Sequence, residues 1–346
     1  MKYRSDILDL FRAAIERDRP LHYKSWMGGW AYQDRRSSKY DADLPQDFYT
    51  YNGPEDLLKW FNWLLKAPNP NYLDGPDHER LIVASRALDE GLFDRFGLVF
   101  PDSEVYDRTI GTANAQDFQF PQVYPGPERQ RIGSMVDFGA GYGRQANLWV
   151  QRRPDLTYVS VDGIPLSYCL QHFYYSNLPS ELRDYVVEPG EFSVRLNDPG
   201  IYHLPTWRLD LLPSNSFDLV TCVQVLPELS RTMLDYALHN FHRVLKPGGA
   251  LYIRDHDRQW RPGHGRNTNR VLSRLGFELE FHPQVIDRVE IWGVPRVWRK
   301  YHPDVSGSRK RSFGGLLRDW RSVADSWTGG RLRRMAVAVR ERTKSG

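Results

Sequence analysis

Glycines fall at 139, 141 and 143 in Val136-Asp137-Phe138-Gly139-Ala140-Gly141-Tyr142-Gly143-Arg144. An apolar stretch leads into them, and a helix-forming stretch, residues 145–151, follows. Glycine lets a backbone turn sharply and approach a ligand without a Cβ in the way, and the free N–H groups of a helix start attract an anion. A dinucleotide loop has the spacing G-x-G-x-x-G. Here it is G-x-G-x-G, with an acid two residues ahead, so the ligand is of a different kind. Tyr158-Val159-Ser160-Val161-Asp162 then puts a carboxylate at the end of the next apparent strand. An acid there can accept hydrogen bonds from both hydroxyls of a ribose, with Gly163 beside it. The competing reading is a cap on the following helix.

Two further blocks follow in order. One is Asp210-Leu211-Leu212-Pro213-Ser214-Asn215-Ser216-Phe217-Asp218-Leu219-Val220. The other is Arg243-Val244-Leu245-Lys246-Pro247-Gly248-Gly249-Ala250-Leu251-Tyr252-Ile253, in which a helix ends, a turn forms and a buried strand begins. Together the four blocks resemble class I S-adenosylmethionine-dependent methyltransferases. The Gly-Ala-Gly-Tyr-Gly-Arg loop and the Ile253-Arg254-Asp255-His256 ending look most similar to bacterial sugar O-methyltransferases. The resemblance implies that the loop anion is the methionine carboxylate of S-adenosylmethionine, that Asp210 contacts the adenine amino group, and that Asp218 is structural. The Asp210 block is shorter than the family pattern on both sides of its proline. The implied cofactor contacts are Asp137, Gly139, Ala140, Gly141, Gly143, Asp162, Gly163, Asp210, Leu211 and Gln224.

Methyl transfer to an alcohol or phenol is an in-line displacement that depends on positioning and gains from a base. In open α/β sheets ligands bind beyond the carboxyl ends of the strands. Asp255-His256-Asp257 sits at such an end, and His256 has a base's chemistry near neutral pH. Asp255 or Asp257 would orient its ring, and His264 is the reserve. The two acids would alternatively help to bind a divalent metal, although two carboxylates do not define a site.

The elements that must position these groups read as strand and helix in alternation from Gly133 onward. Strands are expected over 134–138, 157–161, 217–223 and 250–253, with a closing antiparallel hairpin from 277–281 and 290–298. This predicts a Rossmann-like α/β domain over 131–300, its sheet mostly parallel. Residues 1–130 read as a mainly helical, partly irregular region covering the substrate. Its helices are expected over 5–18, stopped by Pro20, from Pro54, and over 78–90, ended by Gly91. Residues 97–132, with four prolines, read as an irregular connection. Trp26, Trp30, Tyr32, Arg35 and Arg36 are candidate acceptor contacts, since aromatic faces pack on sugar rings and Arg pairs with acids.

Composition excludes several classes. The two cysteines, Cys169 and Cys222, make neither a disulfide framework nor a zinc set. No apolar run approaches the ~18 residues of a membrane span, and no secretory leader is evident, so a cytoplasmic location is expected. Of a net charge of +4, residues 309–344 hold eleven Lys/Arg against three Asp/Glu, leaving the rest of the chain acidic. That basic tail, 301–346, would suit a partner protein or an anionic membrane surface, or be simply solvated. A nucleic-acid substrate is not expected. Gln224-Val225-Leu226-Pro227 is unlike the N-P-P-Y sequence of amino-methylating DNA enzymes, and neither cysteine follows a proline. The expected partner is a small-molecule acceptor, such as a sugar. The alternatives are another natural product methylated on N or O, or a methyltransferase fold that only binds.

Overall fold

The computed structural model describes residues 4–26, 50–66, 68–69, 72–73, 75–123, 132–255, 267–281 and 293–301. Trp30, Tyr32, Arg35, Arg36, His256, Asp257, His264 and the basic tail lie outside the described residues, as does the side chain of Trp26.

The strands are β1 (Ser134–Phe138), β2 (Thr157–Asp162), β3 (Leu182–Asp184), β4 (Gly200–Pro205), β5 (Phe217–Val223), β6 (Leu245–Asp255), β7 (Phe277–Phe281) and β8 (Val294–Lys300). They form one sheet in the order β3-β4-β2-β1-β5-β6-β8-β7. The first six are parallel, and β8 runs antiparallel to both of its neighbours. The arrangement is the Rossmann-like sheet that the strand and helix alternation predicts. β1 and β2 are buried along their whole length, which is why they read as continuous apolar runs with a layer of structure on each face. Helices α7 (Ala146–Arg152), α8 (Pro165–Tyr175) and α9 (Arg231–Val244) make crossovers between parallel strands, and α10 (Thr268–Arg274) precedes β7. Pro165 opens α8 where no N–H is needed, and the Ser230 hydroxyl caps α9 by accepting from the Met233 N–H. The expected hairpin of β7 and β8 is present, but β8 lies between β7 and β6.

The N-terminal region is more helical than the sequence suggested. It holds α1 (Ile7–Arg17), α2 (Arg19–Trp26), α3 (Asp56–Leu64), α4 (Pro76–Arg95), α5 (Ser103–Tyr106) and α6 (Thr112–Val123), with a π-helical turn over Asp107–Gly111 between the last two. Pro20 lies in the first turn of α2, where proline is compatible with a helix. Gly91 lies inside α4 with no atom near its missing Cβ, and the helix continues to Arg95. The supposed connection at 97–132 is largely helix, because α6 buries polar Asn114, Gln116 and Asp117 and so shows no apolar stripe. One apolar cluster runs from Ile7, Phe11, Phe61 and Phe93 to Val159, Leu219 and Trp298, so helices and sheet share a core.

Candidate active site

The carboxyl ends of β1, β2, β4 and β5 open into a cleft of roughly 870 Å3, its open mouth included. Its floor is the β1–α7 loop. The Gly139 N–H donates to the Val161 carbonyl at 2.8 Å, which folds the loop back over β2. Gly139 has φ +73, and a Cβ there would lie 2.2 Å from a methyl of Val225. Glycine is therefore required by the turn after β5 as well as by the backbone angle. Gly143 points away from the cleft, against the Tyr175 ring. Across the cleft, α3 contributes Trp60, Trp63 and Leu64. The two indoles meet edge to face at 6.0 Å.

Asp162 lines the cleft and is 4% exposed. Oδ1 accepts from the Gly163 and Ile164 N–H groups at 2.8 and 3.0 Å, which fixes the turn ahead of α8 rather than capping the helix itself. Oδ2 accepts from Gln171 Nε2 at 3.0 Å and from the Gly141 N–H at 3.3 Å. Three of the carboxylate's four lone-pair directions are closely held, and the fourth faces the Gly141 N–H at 3.3 Å, the contact a ligand hydroxyl would share or replace. Burial pushes the carboxyl up to about 6, against the pull of these donors.

Gln224, immediately after β5, is a non-glycine residue at φ +59. Such a backbone costs energy and is held by its surroundings. Its N–H donates to the Arg254 carbonyl at 2.8 Å. Its Nε2 is buried without a hydrogen-bond partner. Among the described residues, four other polar atoms of the cleft lining are in the same state: Tyr142 Oη, Gln145 Oε1, Ser167 Oγ and Thr206 Oγ1. Buried polar atoms are nearly always paired, so five unpaired ones on one cleft mark a site shaped for a polar ligand. S-adenosylmethionine carries a carboxylate, an ammonium, a ribose and an adenine. The cleft offers donors in Gln224 Nε2, the hydroxyls and the loop N–H groups, and acceptors in Asp162 and Gln145 Oε1. The residues present fit it.

Of the residues expected to contact the cofactor, Gly139, Ala140, Gly141, Asp162, Gly163 and Gln224 line the cleft together. Asp137 does not. It is fully buried behind the loop and accepts from Gln145 Nε2 at 2.8 Å, the Tyr158 hydroxyl at 2.6 Å and Thr221 Oγ1 at 2.9 Å. Burial pushes its carboxyl up to about 6. Its effect on the cleft is to orient Gln145, whose amide nitrogen must face it. Asp210 and Leu211 are also outside the lining. Asp210 is exposed and gripped by the Arg208 guanidinium at 3.0 and 3.2 Å. The residue that enters the cleft after β4 is Thr206. Asp255 is 2% exposed and absent from the lining. Its carboxyl faces the backbone N–H groups of Val225 and Gln224, so it holds the turn that carries Gln224.

Gln145, Ser167, Thr206, Trp60 and Trp63 were not singled out from sequence. Ser167 had a signal, since it falls in the first turn of the helix that follows Asp162. Thr206 required knowing where β4 ends, and buried Tyr202 and His203 hide that strand.

A family model described as a methyltransferase domain matches residues 136–253. Those residues, about a third of the chain, are a methyltransferase domain. The match begins in β1 and ends in β6, so it contains Asp162, Ser167, Thr206 and Gln224 and leaves out α3. Among solved structures, an arsenic(III) S-adenosylmethionine methyltransferase from Chlamydomonas reinhardtii is 17% identical, covering 50% of this chain and 66% of its own, with a TM-score of 0.33. The 1,6-didemethyltoxoflavin N1-methyltransferase of Burkholderia thailandensis is 14% identical over 68% of this chain and 95% of its own, with a TM-score of 0.37. Agreement this loose carries no inference about the acceptor. No curated protein matches the chain.

Proposed function

We propose that the protein transfers a methyl group from S-adenosylmethionine to a hydroxyl of a small polar acceptor, a sugar or sugar-containing compound. The reading is carried by the polar groups of Tyr142, Gln145, Ser167, Thr206 and Gln224, unpartnered among the described residues, that converge with Asp162 on a single cleft. When bound, S-adenosylmethionine supplies an electrophilic methyl on a sulfonium. The chain then has to bind, orient and exclude water. In this proposal Asp162 and Ser167 hold the ribose, Thr206 the adenine edge, and the β1–α7 loop with Gln145 the methionine end. The acceptor enters between α3 and the Gln224–Glu228 turn. Trp60 and Trp63 give that side flat apolar faces on which a sugar ring packs. His256 remains the proposed base, because it directly follows the last residue of β6.

Calorimetric titration with S-adenosylmethionine tests the first half. Wild type should bind, and Asp162→Ala should weaken binding by about tenfold or more, the order of one charge-assisted hydrogen bond. A wild type that binds no cofactor would sink the proposal. Methyl incorporation into a panel of sugars, phenols and amines then tests the second half, and labelling confined to amines would remove the sugar assignment.

A further inference from the structure

Behind Asp162 lies a chain of fully buried polar groups that methyl transfer does not use. Gln171 on α8 donates from Nε2 to the Gly141 carbonyl at 2.7 Å and to Asp162 at 3.0 Å. A carbonyl only accepts, so the amide orientation is fixed. Gln171 Oε1 faces the Ser160 hydroxyl at 2.9 Å and His203 Nε2 at 3.0 Å. It also only accepts, so both neighbours must donate, and the Tyr175 hydroxyl, 2.8 Å from Ser160, donates to Ser160 in turn. The second nitrogen of His203, Nδ1, lies 2.8 Å from Asp184 Oδ2. With Nε2 already protonated, that contact needs one more proton, either on Nδ1 or on the carboxyl. The His203–Asp184 couple therefore carries a proton beyond a neutral imidazole and a carboxylate.

We propose that Gln171 is a positioning residue for the cofactor cradle, held by the proton shared between His203 and Asp184, so that cofactor affinity falls when that proton leaves. The proposal rests on Asp162 and the Gly141 loop being the cofactor cradle. On proton loss the remaining proton of His203 goes to Nδ1, where a carboxylate faces it. Nε2 then turns a lone pair on Gln171 Oε1, and the amide that spans Gly141 and Asp162 loses its anchor.

Every element around the couple supplies a partner. From β3, Asp184 faces both His203 and His172 of α8, the latter at 2.8 Å. Asp184 Oδ1 accepts from the Tyr168 hydroxyl at 2.8 Å and the Val186 N–H at 3.0 Å. The Tyr168 ring stacks on His203 at 3.7 Å, and Tyr175 meets it edge-on. β2 contributes Ser160 and Asp162. Burial opposes ionisation of Asp184, yet the His203 and His172 rings outweigh it and hold the carboxyl well below the usual range. Burial pulls the His203 imidazole down, against the raising effect of Asp184. His172, Asp184 and His203 are also metal-ligand types. Their 2.8 Å separations are those of hydrogen bonds, whereas two ligands on one tetrahedral zinc stand roughly 3.4 Å apart.

The experiment is calorimetric titration with S-adenosylmethionine from pH 5 to 8.5 at constant ionic strength, on wild type, His203→Gln and Gln171→Leu. Asp162 titrates in the same range, so the quantity read is the difference between profiles. Glutamine at 203 keeps a donor toward Gln171 but cannot titrate. Wild-type affinity should fall with rising pH relative to His203→Gln by about tenfold, the order of one hydrogen bond. Gln171→Leu should bind about tenfold more weakly at the acid end. Parallel profiles for wild type and His203→Gln, or undiminished binding by Gln171→Leu, overturn the proposal and leave the cofactor reading intact. A wild type that binds nothing at any pH overturns both. Nitrogen NMR of the wild-type histidines needs no variant to fold. The Nε2–H of His203 should be present at pH 5 and lost as pH rises, and its persistence to pH 8.5 also overturns the proposal.

Discussion

Thr206 and Ser167 bury hydroxyls that have no partner among the described residues, which separates their effect on ligand affinity from their effect on folding. Thr206→Val removes a group that is already unsatisfied, so stability should stay within about 1 kcal/mol of wild type while cofactor affinity falls about three- to tenfold. Parallel losses in melting temperature and affinity would make Thr206 a core residue instead. Asp255 gives the opposite case, a group whose effect is on folding. Burial pushes its carboxyl up to about 7, against Arg296 and the Val225 and Gln224 N–H groups. The folded state then holds the proton more tightly than the unfolded state. Its contribution is complete below about pH 4 and is lost as pH climbs through about 7, by at most about 4 kcal/mol. Asp255→Asn should match wild type near pH 5 and exceed it in melting temperature at pH 8, and a gap independent of pH would refute this. Glycine 139, Asp162 and Gln224 were readable in the sequence because each follows an apolar strand. Asp210, expected at the adenine, stands outside the cleft lining, held by Arg208 beyond the turn that follows β4.

The loop between β1 and α7 shows how one element meets two constraints. At Gly139 a methyl would strike Val225 at 2.2 Å on a backbone at φ +73, whereas at Gly141 the nearest atom is the Trp60 ring at 3.9 Å and only φ +63 opposes it. Gly141→Ala should therefore cost about 1–2 kcal/mol, and Gly139→Ala about 3 kcal/mol or more once the clash is added. Urea unfolding midpoints rank the two, and the reverse order would contradict the packing described. Strand visibility follows the same logic of environment. β1, β2, β5 and β6 were legible because parallel strands covered on both faces become short, largely apolar runs. β4 and α6 bury histidine, tyrosine, asparagine, glutamine and aspartate. His203 is satisfied through Asp184, Gln116 through the Tyr72 N–H, and Asn114 and Asp117 through Arg144 and Arg254, partners on other elements that no local pattern reveals.

At the scale of the molecule, α6 ties the helical region to the sheet through charge. Asp117, 1% exposed, accepts from Arg254 at 2.8 and 2.8 Å and from the Tyr252 hydroxyl at 2.7 Å, and pairs with Arg144 of the glycine loop. Although burial opposes it, Arg254 and Arg144 hold this carboxyl below its usual range. Asp117→Asn leaves two guanidinium groups short of a counter-charge and should cost about 3–5 kcal/mol. Because the core is shared, calorimetry should show one transition for the variant as for wild type. A separate melting of the helical region would deny the coupling. The place of β8 in the strand order has a consequence for biosynthesis. Residues 245–255 complete their parallel pairing as soon as they are made, but the other side of β6 waits for residues 294–300, and β7 has no seat until then. A nascent chain stalled or cut between these two points presents the bare N–H and C=O row of a long apolar strand, a template for pairing with other chains. A chain that ends before residue 294 should therefore aggregate more readily than the full chain, through the unpaired side of β6.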